Sequence, residues 1–195
     1  MKKKRNPMPS RKMKQVFLVF CEGETEEAYI SLLRQRYRWS PLKVISRVTG
    51  LSISPDIINR HIKAEQIGPA DKISVFLMYD VNTDGIIERI AACKNAVSIV
   101  SNPAVELWFL LHITEQNAAI SVENCIEKLK KVSADWKHYK KGILSERQKE
   151  ILWVNRGIAA IRSKRLSEEG NPSSLIFRLI EKMDSVTVVS KTIDP

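Results

Sequence analysis

The sequence predicts an α/β fold: a central, mostly parallel sheet flanked by helices, with a helical extension toward the C-terminus. Three observations predict it. Short apolar runs alternate with helical patterns through the first hundred residues, the order that a parallel sheet imposes. Two of these runs, Val16–Cys21 (VFLVFC) and Ile73–Tyr79 (ISVFLMY), are apolar without alternation, as strands covered on both faces are. Beyond Asn102 helical patterns dominate. The 195 residues suit one compact domain with a helical annex.

Val16–Cys21 is too short for a helix and is stopped by Glu22-Gly23, so it reads as a buried strand. Thr25 to about Arg38 has helical spacing, with Tyr29, Leu32, Leu33 and Tyr37 on one face and Thr25 as N-cap. Lys43–Val48 is a second strand. Residues 55–66 form a second helix, with Pro55 in its first turn. Ile73–Tyr79 is the strongest strand and runs into Asp80. Gly85–Asn95 suits a short helix and Ala96–Val100 a fourth strand. Ala104–His112, Val122–Val132, Ser145–Lys164 and Ser173–Met183 read as helices, and Val186–Val189 as a late strand. Asn102 or Ser101 caps the first of these helices, with Pro103 in its first position. The division is therefore a basic arm over residues 1–14, an α/β core over 15–101, and a helical extension over 102–195 completing the same domain.

Lys and Arg number 32 against 22 Asp and Glu, a net charge of +10, which favours a polyanionic partner, nucleic acid before membrane surface. Seven of the first fourteen residues are Lys or Arg, so the arm either tracks phosphates or is a solvated tail. Between Ile126 and Arg165 twelve basic residues stand against four acidic ones. Lys128, Lys130, Lys131, Lys137, Lys140 and Lys141 form the candidate nucleic-acid or partner face, or a solvated helix face. Cys21, Cys93 and Cys125 are odd in number and lack CxxC spacing, which fits a reducing cytoplasm and opposes a disulfide or zinc scaffold. No apolar run is long enough to span a membrane. Oligomeric state is open, a homodimer included.

Acids cluster where a parallel sheet binds ligands, beyond the carboxyl ends of its strands. The first strand leads into Glu22-Gly23-Glu24-Thr25-Glu26, and the third into Asp80-Val81-Asn82-Thr83-Asp84. Converging carboxylates repel unless a cation or proton lies between them, and oxygen donors suit Mg2+ or Mn2+. Such an ion lets an acidic pocket accept a phosphodiester. The blander alternative is that Glu22 and Glu24 only complement a helix dipole. Glu106 sits amid Val105, Leu107, Trp108 and Phe109, where a carboxylate needs a partner. His112 lies on another face and reads as a core or boundary residue, and Trp108 as core.

Phe20–Tyr29 (FCEGETEEAY) resembles the opening motif of RloB-like proteins, and Ser101–His112 (SNPAVELWFLLH) resembles their NPxxExWxLxH block. His138-Tyr139-Lys140-Lys141, followed by Asn171-Pro172-Ser173-Ser174, is similar to their C-terminal pattern. The resemblance covers about residues 16 to 182. It implies a Toprim-like sheet and a Mg2+- or Mn2+-dependent nuclease. The implied setting is antiphage defence, beside a separately encoded AAA/ABC-type ATPase. Carried onto this chain, Glu22 matches the Toprim glutamate and Asp80 the first aspartate. Asn82 stands where the second aspartate is expected, a departure that weakens a second metal position, and Asp84 is the substitute if the loop bends back. Glu106 is the further acid, and Lys140 the candidate phosphate or transition-state contact. No GxxxxGK[ST] occurs, so ATP hydrolysis would belong to the partner.

These readings converge on metal-dependent hydrolysis of DNA or RNA. Glu22, Asp80, Asn82 and Asp84 are the candidate metal ligands, and Glu22, Asp80, Glu106 and Lys140 the catalytic set. Lys128, Lys131, Lys137 and Lys141 are the nucleic-acid contacts. One rival is a catalytically degenerate module that binds nucleic acid or regulates the ATPase. A receiver-like signalling domain is the other, opposed by the basic second half.

Overall fold

The fold is built around one strand. In the computed structural model, which describes residues 15–65, 67 and 71–191, β1 (Gln15–Cys21) lies between two parallel neighbours. β2 (Leu42–Val48) pairs along one edge and β3 (Lys72–Met78) along the other, with Cys21 opposite both Val48 and Met78. β4 (Ala96–Ser98) adds in parallel to β3, giving the order β2-β1-β3-β4. A strand in that position is covered on both faces, which is why VFLVFC has no polar alternation. Val16 through Cys21 are all buried, each large side chain contributing about 1.5–3 kcal/mol of transfer free energy. The predicted α/β class and parallel sheet are what the structure has.

Helices α1 (Glu24–Arg36), α2 (Pro55–Ala64) and α3 (Ile86–Ala92) connect the strands. α2 starts as predicted, with Pro55 in the first turn behind a Ser54 cap whose Oγ accepts from the Ile57 N–H at 3.3 Å. For α1 the N-cap is Gly23, not Thr25. Thr25 sits in the first turn, where its hydroxyl oxygen accepts from the Gly142 N–H at 3.0 Å.

The second half departs from expectation in four places. The helix expected over Ser173–Met183 starts only at Phe177, because Ser173–Ser174 is a strand. Ser101–Asn102 does not cap a helix. It forms β5, antiparallel to β6 (Ser173–Ser174), and the cap of α4 (Val105–Leu111) is Ala104. Hydrogen bonding to a distant segment thus overrides the local capping signal of Ser-Asn-Pro, and both Asn-Pro bonds, at Pro103 and Pro172, are cis. The expected single helix over 145–164 is two, α6 (Glu146–Val154) and α7 (Arg156–Lys164). The break is at Asn155, whose side-chain amide donates to the His112 carbonyl at 3.0 Å. Finally, Val186–Val189 is not a strand. It continues α8 (Phe177–Lys191), which is held by buried Leu179, Ile180 and Met183 and by a 2.5 Å hydrogen bond from the Tyr37 hydroxyl to Asp184. Packing at helical period outweighs the strand preference of a Val-Thr-Val-Val run.

α4 is buried from Val105 to Leu111. A helix apolar all round belongs inside, and here α5 (Val122–Val132), α7 and the short strands enclose it. Trp108 is fully buried, packed edge-on against Tyr29 and His112. One contiguous apolar core joins the sheet to the C-terminal helices. No helix among the described residues is long and apolar enough to cross a membrane. The basic arm, residues 1–14, lies outside the described residues.

Candidate functional site

β1 continues to β2 on one side and has β3 on the other. The crevice beyond the carboxyl ends of β1 and β3 is therefore the topological switch point of the sheet, where α/β proteins bind ligands. Both acidic segments open into it. The Glu22 N–H donates to the Met78 carbonyl at 3.1 Å, and the Asp80 N–H donates to Glu22 Oε2 at 3.0 Å. Asp80 is also bridged to Ser101, whose carbonyl accepts from the Val81 N–H at 3.0 Å. Backbone pairing on both sides fixes where the Asp80 side chain can go.

Glu106 arrives from the first turn of α4 and is completely buried. Its Oε1 accepts from the Tyr139 hydroxyl at 2.9 Å and lies 3.8 Å from Lys141 Nζ. Glu26 is buried too, and its Oε2 accepts from the Gly23 N–H at 3.0 Å. Around these groups is an open cavity of about 270 Å3. Its lining includes five carboxylates, Glu22, Glu24, Glu26, Asp80 and Glu106, and a single cation, Lys141.

Such crowding is costly for charged acids. Burial, followed by the charges of Glu26, Glu106 and Glu22, pushes Asp80 up to about 9, against the pull of Lys141. Burial likewise raises Glu26, against the backbone N–H groups that hold it. Tyr139 is raised by burial and by Glu106, so it remains a hydrogen-bond donor. Two buried carboxylate oxygens, Asp80 Oδ1 and Glu106 Oε2, have no hydrogen-bond partner among the described residues. An acceptor left this way costs about 1–3 kcal/mol, so the arrangement fits a proton or a cation there.

The donor chemistry suits a hard divalent ion, since the side-chain donors of the lining are oxygens, five of its residues being carboxylates. Among the described residues no group of three or more His, Cys, Asp or Glu is arranged to hold a metal. An ion at the switch point would rest on fewer protein donors, Glu22 and Asp80, with water and phosphate completing its shell. That is how Mg2+ is usually held.

The family model for RloB-like proteins matches residues 17–183. The chain belongs to the RloB-like family. No curated protein and no solved structure matches it. The matched span runs from β1 into α8 and contains every residue of the cavity.

In this RloB-like protein, Glu22, Asp80 and Glu106 share one cavity with Lys141. The other candidates lie elsewhere. Asn82 and Asp84 are exposed on the turn leading to α3 and do not line the cavity. Lys140 is exposed and its backbone bridges to Ile143. The next residue, Lys141, is exposed as well, but it is the lysine that lines the cavity and stands 3.8 Å from Glu106. Gly142 turns the chain there: its φ is +76°, and a Cβ would stand 3.0 Å from Glu24 Oε2. Of the helical lysines, Lys128 donates to Gln116 at 2.6 Å and Lys131 pairs with Glu127 at 3.1 Å. Lys130 and Lys137 are exposed, and none of these four touches the cavity. His112 is core: its Nδ1 lies 2.7 Å from the Trp108 carbonyl. Sequence reasoning did not assign Glu26 or Tyr139 a place in the site. The signal for Tyr139 was its position beside Lys140-Lys141-Gly142, a turn that had to return to the sheet.

Proposed function

We propose that this RloB-like protein hydrolyses phosphodiester bonds in nucleic acid with Mg2+ or Mn2+. The observation that carries this reading is the pairing of Glu22 and Asp80 at the switch point, with Asp80 Oδ1 buried and unpartnered beside them. Both carboxylates would hold the ion, which supplies charge neutralisation at the phosphate and a more acidic bound water. The Asp80 N–H orients Glu22, which is placed to accept a proton at its other oxygen, Oε1. Glu106, held by Tyr139, keeps Lys141 at the rim, where the ammonium meets an incoming phosphate. The net charge of +10 supports attraction of a polyanion into an otherwise acidic pocket. A Toprim-like ancestry, a role in antiphage defence and a separately encoded ATPase partner belong to the same proposal and rest on the family resemblance.

Cleavage of plasmid DNA and of bulk tRNA, in Mn2+ and then in EDTA, tests it with wild type, Glu22→Gln and Asp80→Asn. Each variant is checked for an unchanged melting temperature, so that lost cutting is not lost folding. Metal-dependent cutting that falls at least 100-fold in both variants is expected. Nucleic acid bound but not cut, with or without metal, would overturn the reading in favour of a binding module.

A further inference from the structure

Trp39 is 86% exposed, the most exposed large apolar side chain among the described residues. The other tryptophans differ: Trp108 and Trp136 are fully buried, and Trp153 packs edge-on against Tyr37 and beneath Arg156. Trp39 stands in the turn between α1 and β2, at the far end of α1 from the carboxylate cavity. Thirteen helical residues separate the two ends, about 20 Å at ~1.5 Å per residue. The Arg38 guanidinium lies 4.8 Å from the Trp39 ring centroid, over one face. Exposure of this degree leaves the other face to solvent.

Beside the indole is an open depression of about 340 Å3, lined by Gln35, Arg36, Arg38, Trp39, Glu146 and Lys149. Two of its cations are already matched: Arg36 pairs with Glu150, and Lys149 with Glu146 at 2.7 Å. Arg38 has no carboxylate partner among the described residues, and neither does the neighbouring Arg34, which bonds only to Ser31. Basic residues at the end of α1 complement its dipole, which accounts for Arg34 and Arg36. It does not account for an indole held in water with an arginine on its face. Among the described residues no aliphatic side chain lines the depression, so the apolar anchor of a protein partner finds nothing aliphatic to pack on.

We propose that Trp39 and Arg38 form a stacking platform for an unpaired base of single-stranded nucleic acid, outside the carboxylate cavity. An aromatic face with unmatched cations beside it meets both halves of such a ligand. The π-surface takes the base, and Arg34 and Arg38 take the phosphates on either side. The inference rests on nucleic acid being the substrate class, and it adds a contact that reads strand state: a duplex keeps its bases stacked and presents none to Trp39.

The test is binding of a fluorescent 20-nucleotide single strand in EDTA, so that the strand stays whole. Wild type is compared with Trp39→Ala and Trp39→Phe, each checked for an unchanged melting temperature. Trp39→Ala is expected to weaken binding about tenfold, with most of the affinity kept in Trp39→Phe. The strand should quench wild-type indole emission, and a strand abasic throughout should not distinguish Trp39→Ala from wild type. Equal affinity of wild type and Trp39→Ala would overturn the proposal, as would an equal loss on abasic or duplex ligand. Failure here leaves metal-dependent cutting intact, whereas a chain that binds through Trp39 and never cuts would sink the nuclease reading alone.

Discussion

Replacing His112 by Gln should remove most of the acid sensitivity that one side chain confers on the fold. His112 ends α4, the helix whose first turn carries Glu106. It is buried against the Trp108 ring at a centroid distance of 4.9 Å, and burial pushes its pKa down to about 4, against the pull of the Trp108 and Leu152 carbonyls. The unfolded chain binds a proton at His112 near pH 6.5, while the folded chain does not until about pH 4. The unfolded state therefore holds more protons in that window, and stability falls as pH falls through it. The two pKa values imply a loss of about 2 kcal/mol between pH 7 and pH 5 from this group alone. Asp80 and Glu26 act in the opposite sense. Their folded pKa values are raised, so their contribution grows as pH falls. Both residues are present in wild type and variant, so the difference between the two proteins isolates His112. Urea unfolding, followed by tryptophan fluorescence at pH 7, 6 and 5, measures it. His112→Gln should be about 1 kcal/mol less stable at pH 7, from the lost ring contact. It should draw level and then overtake as the wild type loses its ~2 kcal/mol. Parallel pH curves for the two proteins would refute the argument, because they would mean that a neutral buried imidazole is not what acid must charge.

Asn82→Asp should leave metal-dependent cleavage within about twofold, because the side chain is exposed and outside the cavity. A large gain in cutting would show that the turn after Asp80 folds back over the ion. Gly142→Ala should cost about 1–3 kcal/mol in thermal or urea unfolding, since its φ of +76° is strained for any residue with a Cβ and Glu24 stands in the way.

The sequence carried the α/β class on its own. Unbroken apolar strands alternating with amphipathic helices have few other solutions, and an apolar α4 could only be interior. Glu22, Asp80 and Glu106 were legible as site residues for a related reason. Acids at strand ends, or inside an apolar helix, conflict with local preference, and such conflicts mark places where tertiary structure supplies a partner. The tertiary structure decided what depends on distant chain segments. Ser101–Asn102 became a strand because Ser173–Ser174 lies beside it. Residues 186–189 stayed helical because α8 packs at helical period against the core. Lys141, rather than Lys140, faces Glu106 because Gly142 turns the chain and its N–H is fixed to Thr25. Side-chain direction in a loop has no periodicity to read. It is set by hydrogen bonds across 117 residues of sequence, and only the folded chain brings those partners together.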